Sequence, residues 1–230
     1  MNLFQSLPAL RQHPLLRGKK IALVGVSTIV RDGAAHYFEI NKPKYWKTRA
    51  DGATTVGVSG IGGTIERGET LLACLRREVK EELGVRVRLE LPPQTYLIHD
   101  WQIADTLTLP PSKKRPTPWI VILTPPRLGG PGMPDHLAIV ALRTRLLGAP
   151  APYDLFGLLR AETSALAEFF SRDEWPLADA QTISGLSIIL NGQLPSHPIL
   201  RPHLTGRAFQ LLVRGGATHF RSASHLKCVG

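Results

Sequence analysis

One stretch constrains the fold more than any other: GGTIERGETLLACLRREVKEELGV, residues 62–85. Two glycines lead into a loop, and from Leu71 onward Leu71, Leu72, Leu75, Val79 and Leu83 recur at the spacing of a single helix face. That helix must bury its stripe against the rest of the chain. Glu78 and Glu82 fall beside the edge of the stripe and Glu81 just beyond, while Arg76 and Lys80 point away. Glu78 and Glu82 are like charges at i and i+4, which cost an isolated helix roughly 0.2–0.5 kcal/mol. Two readings compete for this arrangement. One is a solvated face with Arg77 paired to Glu81. The other is a set of hard oxygen ligands for Mg2+ or Mn2+, which favour carboxylates and water.

Around this helix the chain reads as strands and short helices. Ile21–Val30 is a β-branched run ending at Asp32-Gly33, a tight-turn signal, and His36–Ile40 follows as its partner strand. Thr54–Gly63 is a strand dissolving into glycines. Val85–Leu91, Thr95–Asp100, Trp119–Thr124 and His136–Arg145 are further strands, separated by proline-rich surface loops. Leu155–Phe170 fits both the helical and the strand period. From Ala178 the pattern turns helical, with Ile183, Leu186, Ile189 and Leu190 on one face, and a last helix is expected around Pro202–Val213. The final residues read as a loose tail. Leu3, Phe4, Leu7 and Leu10 form a short docking segment broken by Pro8 and Pro14. These elements describe one mixed α/β domain with helical and basic additions.

The charge is placed unevenly. Residues 1–50 hold nine basic and two acidic residues, and everything after Asp179 holds five basic residues and no acid, within a total of +10. Such a field favours anionic partners, phosphorylated small molecules or nucleic acid. Cys74 and Cys228 make no disulfide framework or C-x-x-C pair. The first 20 residues lack the apolar core of a signal peptide, and no run of 18 apolar residues spans a bilayer. The expectation is a soluble cytoplasmic protein with no membrane partner.

The order Gly63, five residues, Glu69, seven residues, Arg77-Glu78-Val79, one residue, Glu81-Glu82, one residue, Gly84-Val85 is similar at every defined position to the Nudix box of the Nudix hydrolases. The flanking strands and the segment ETSALAEFFSRDEWP (Glu162–Pro176) also look like that family. The resemblance implies an α/β/α sandwich with a mixed β-sheet, in which the box is a loop, a helix and a loop. It places a docking segment at 1–20, the Nudix domain at 21–195 and a basic helical extension at 196–230. By motif position Glu78, Glu81 and Glu82, with the carbonyl of Gly62, would carry Mg2+ or Mn2+. Glu81 and Glu82 would take part in catalysis. Glu69 and Arg77 would pair to hold the loop on the helix, and Gly63 and Gly84 would serve backbone geometry.

The implied reaction is hydrolysis of a phosphoric anhydride in a nucleoside diphosphate linked to another moiety. A diphosphate repels a nucleophile, so cations must neutralise its oxygens before water attacks. Glu162 is the expected general base and Asp135 the reserve. Arg49 and Lys47 are expected to contact the outer phosphate, and Trp101, Trp119, Tyr96 or Tyr153 to stack on a base. No pattern of the coenzyme A, NADH or ADP-ribose subfamilies is evident. The expected partner is a phosphorylated small molecule, with a homodimer compatible and nucleic acid less favoured. The alternative is a Nudix-like nucleotide-sensing or nucleic-acid-binding regulator without turnover.

Overall fold

The computed structural model describes residues 1–112, 115–126 and 132–216, so the expected tail from residue 217 lies outside the described residues. The strands are β1 (Ile21–Asp32), β2 (Ala35–Ile40), β3 (Lys47–Thr48), β4 (Thr54–Ser59), β5 (Ile61–Thr64), β6 (Val87–Glu90), β7 (Thr95–His99), β8 (Gln102–Leu107), β9 (Ile120–Thr124), β10 (His136–Leu146), β11 (Gly157–Glu162), β12 (Trp175–Pro176), β13 (Leu186–Leu190) and β14 (Pro198–Pro202). The helices are α1 (Leu3–Ser6), α2 (Leu71–Leu83), α3 (Thr163–Phe169), α4 (Leu177–Ala180) and α5 (Thr205–Arg214).

The strands form one mixed sheet with the main order β12-β14-β4-β2-β1-β10-β9-β7-β8. β1 runs parallel to β10, and β1 turns back on β2 through Gly33-Ala34, with Asp32 opposite Ala35. Two apolar clusters lie against the sheet. One gathers Val26, Val30 and Tyr37 with Leu71, Leu75, Val79 and Leu83 of α2 and with Leu3, Phe4, Leu7 and Leu10 of the first segment. The other gathers Ile29, Phe38, Ile120 and Leu159 with Leu166 and Phe169 of α3 and Phe209 and Leu212 of α5. The chain is thus an α/β sandwich, with α2 over one face and α3 and α5 over the other. Phe38, Phe170, Trp119 and Phe209 meet edge-on at centroid distances of 5.3–5.6 Å, the geometry aromatic quadrupoles favour.

Several elements depart from the sequence expectations for physical reasons. β8 was not expected, because Gln102–Thr106 is exposed and shows no alternation. It forms a hairpin with β7 through Asp100 and Trp101, both at positive φ (50° and 57°), without the Asn-Gly that ordinarily announces such a turn. Leu186–Leu190, expected as part of a helix, is β13. It pairs antiparallel with β11, and its alternation is masked by the exposed Ile189. Leu155–Phe170, which fitted both periods, uses them in succession as β11 and α3. After residue 195 the chain adds β14, parallel to β4, and α5, whose Phe209 and Leu212 are fully buried. The segment beyond 195 therefore contributes a strand and a core helix as well as charge.

Candidate active site

The local structure of the box follows from its caps. Thr70 caps α2 by accepting the Ala73 N–H at 3.2 Å, and Gly84 ends it in the left-handed region at φ 68°. The stripe Leu71, Leu75, Val79 and Leu83 is buried on the sheet, which fixes the rotation of the helix. That rotation turns Glu78 and Glu82 toward β5, which is antiparallel to β1 with Gly62 opposite Ser27. Gly62 adopts φ +143°, and a Cβ there would lie 2.3 Å from the Val26 carbonyl oxygen. A Cβ on Gly63 would lie 2.3 Å from Glu78 Oε1. The two glycines thus let the backbone come within reach of the helix carboxylates. Gly62→Ala is expected to destabilise the fold, since it strikes backbone. Gly63→Ala displaces only a flexible carboxylate and is expected to lower activity with little loss of thermal stability. Comparing melting temperatures and rates of the two variants checks this contrast.

Arg77 holds the loop to the helix. Its Nε and Nη2 donate to Glu69 at 3.0 and 3.1 Å, its Nη1 to Glu78 at 2.8 Å and to Glu81 at 3.2 Å, and its Nη2 to the Thr64 carbonyl at 3.3 Å. The guanidinium beside Glu69 lowers that carboxyl to about 2.

A pocket of about 650 Å3 opens beside this loop, lined by Gly62, Gly63, Glu39, Glu66, Glu78, Glu82 and Asp154 together with Lys42, Lys44, Tyr45 and Thr205. Glu82 is buried and accepts the Gly62 N–H at 2.9 Å. Burial, then the charges of Glu39 and Glu78, push its carboxyl up to about 9. Burial raises Glu39 to about 7, partly offset by Lys42. The donor set is hard oxygen, crowded and mutually repelling, which is the chemistry that suits Mg2+ or Mn2+. Among the described residues no three His, Cys, Asp or Glu side chains stand together as a ready-made metal site.

The structure brings Glu78, Glu82 and Gly62 to the pocket. Glu81 is half exposed, is held by Arg77 and does not line it. Glu162 stands at the far end of β11, opposite Ala35, with Arg160 donating to it at 3.3 Å. Glu39 is four residues along β2 from Ala35, a separation of ~13 Å. Asp135 accepts the Lys20 N–H at 2.7 Å, also outside the pocket. Arg49 is engaged by Glu174 and Thr55, and Lys47 is exposed on β3; neither lines the pocket. The lysines that line it are Lys42, whose Nζ donates to Asp154 at 2.7 Å, and Lys44, whose Nζ lies 5.0 Å from the centroid of the Tyr45 ring. Of the expected aromatics, Trp119 and Tyr96 are core residues, Trp101 tips a hairpin and Tyr153 covers Gly84, while Tyr45, 58% exposed, stands at the pocket rim.

Glu39 is the pocket carboxylate that motif reading missed, and period-two alternation is the signal that finds it. His36, Phe38 and Ile40 share one face of β2, whereas Tyr37 and Glu39 share the other. Tyr37 packs in the cluster beneath α2, so Glu39 is on the side of the box helix.

A family model described as NUDIX domain matches residues 25–181. The chain is similar to the solved structure of the MutT protein from Bacillus halodurans at 15% identity, covering 64% of this chain and 72% of that chain, with a TM-score of 0.35. It is similar to a NUDIX-family hydrolase from Clostridium perfringens at 15% identity, covering 65% of this chain and 85% of that chain, with a TM-score of 0.37. It is similar to an ADP-ribose pyrophosphatase from Streptococcus suis at 16% identity, covering 85% of this chain and 90% of that chain, with a TM-score of 0.33. No curated protein matches the chain. Among the described residues no helix is long and apolar enough to cross a membrane.

Proposed function

The chain belongs to the NUDIX domain family and is a Nudix hydrolase, and from that premise we propose that it cleaves a phosphoric anhydride in a nucleoside diphosphate linked to another group. The observation that carries this reading is one pocket lined both by the carboxylates Glu39, Glu78 and Glu82 and by the cations Lys42 and Lys44. In this reading Glu78, Glu82 and the Gly62 backbone hold Mg2+ or Mn2+. Glu81, held by Arg77 one helical step away, supports them. When bound, the cations supply charge neutralisation at the phosphate oxygens and polarise phosphorus.

The remaining roles belong to the chain. Lys42 and Lys44 draw the outer phosphate to the rim and orient it. Tyr45, exposed and with the Lys44 ammonium over one face of its ring, offers the other face to the organic group, and a nucleobase suits it. Glu39 reaches the pocket from a strand outside the box, where among the described residues no Arg or Lys lies within ion-pair distance of it. We assign it the proton of the attacking water in place of Glu162. Gly62 N–H fixes one oxygen of Glu82.

The test is a panel of nucleoside triphosphates, nucleotide sugars, ADP-ribose, dinucleoside polyphosphates, NADH and capped RNA, incubated with Mg2+ or Mn2+ and again with EDTA. Cleavage of one class in the presence of metal only is the expected result. Binding without cleavage across the panel would favour the sensing reading.

A further inference from the structure

The sheet carries a second charged feature on its opposite face. Arg31 of β1, Arg145 of β10 and Arg88 of β6 stand directly opposite one another in successive strands, and the next rung sets Ile29, Arg143 and Glu90 side by side. Alternation puts all four arginines on the face of Ile29, Ala141 and Trp119, away from α2. The row begins four residues beyond Ser27, the last β1 residue to line the acidic pocket, a distance of ~13 Å along the strand.

Like charges directly opposite in a sheet destabilise it. Here one carboxylate, Glu90, serves only two of the four arginines. Glu90 accepts from Arg31 Nε and Nη2 at 2.6 and 2.7 Å and lies 3.4 Å from Arg143 Nε. Among the described residues neither Arg88 nor Arg145 has a carboxylate within ion-pair distance, which leaves the four guanidiniums and Glu90 with three positive charges in excess. Arg143 lies over the ring of buried Trp119 with its guanidinium carbon 5.7 Å from the centroid, so its plane is held in place. Arg88 is exposed and Arg31 and Arg145 are half-buried, so the row is open to solvent along one side and backed by protein on the other.

We propose that this arginine ladder is a binding site, separate from the hydrolytic pocket, for a small anion carrying two or more phosphates. Guanidinium forks match phosphate oxygens two at a time. The three arginines of the first row, one strand apart, span ~10 Å, longer than one phosphate and matched to a short phosphate chain. Binding there relieves the repulsion that the sheet otherwise holds, and Glu90 is the counter-ion that keeps the first rung ordered when the ligand is absent.

The experiment is a calorimetric titration of inorganic pyrophosphate into the full chain with EDTA present, so that the acidic pocket repels the probe. The double variant Arg88→Gln, Arg145→Gln is titrated in parallel. It leaves the Arg31–Glu90 pair in place, removes like charges from the ladder, and is expected to melt no lower than the wild type. Saturable binding to the wild type, at least about tenfold weaker in the double variant, is the expected result. Absence of binding to the wild type, or equal binding to both proteins, overturns the proposal. So does a ladder that retains single-stranded RNA but not pyrophosphate, because that outcome makes the row a nucleic-acid surface.

Discussion

Glu82→Gln is expected to lower turnover at least about a hundredfold while raising the melting temperature of the metal-free protein. The two effects share one cause. Glu82 is buried beside Glu39 and Glu78, and its carboxyl is raised from 4.5 to about 9. A carboxyl whose folded pKa lies above its unfolded value contributes stability that is fully present below the unfolded value and lost as pH rises toward the folded one. Glutamine keeps the acceptor oxygen for the Gly62 N–H and does not titrate. The gap in melting temperature between variant and wild type should therefore widen from pH 4.5 to 9 with EDTA present. The rate loss follows because a neutral amide is a poor ligand for a hard cation. Thermal melts across that pH range, beside initial rates, check both halves. A variant that is less stable than wild type at pH 8 without metal would contradict the repulsion described here.

Glu39→Gln is expected to lower kcat by about a hundredfold, within the range that a positioned proton acceptor supplies. Glu162→Gln is expected to stay within about threefold of wild type, since Glu162 is paired with Arg160 beyond the pocket. The fold should survive in both, because Glu39 makes no ion pair within bonding distance among the described residues and Glu162 is only half-buried. Rates of the two variants against wild type at saturating substrate settle the assignment. Equal rates for Glu39→Gln and wild type would return the proton to a box glutamate.

Much of the site was legible because its spacing is local. The stripe Leu71, Leu75, Val79 and Leu83 fixes which way α2 rolls, and that roll alone sends Glu78 and Glu82 toward the glycines. Glu81 was harder to place. It sits one step round the helix, within reach of Arg77, and a short-range guanidinium contact decides its direction. Glu39, Lys42 and Lys44 come from β2 and the turn after it, and they join the box only because β2 lies beside β4 and β1 in the sheet. Such pairing is nonlocal, and no spacing within one segment encodes it. β13 and β8 were missed because exposed apolar and polar residues obscure the two-residue period on strands that have one open face. The arginine ladder is of the same kind: Arg31, Arg88 and Arg145 are far apart in the chain and meet only through register.

In the proposed reading the pocket beside the box holds a divalent cation through Glu82 and Glu78, with Glu39 lining the same pocket. The direct measurement is Mn2+ binding by electron paramagnetic resonance, titrating the ion into wild type, Glu82→Gln and Glu162→Gln without substrate. Saturable binding is expected in wild type and Glu162→Gln, and at least about tenfold weaker binding in Glu82→Gln. Equal Mn2+ binding in all three proteins would contradict it.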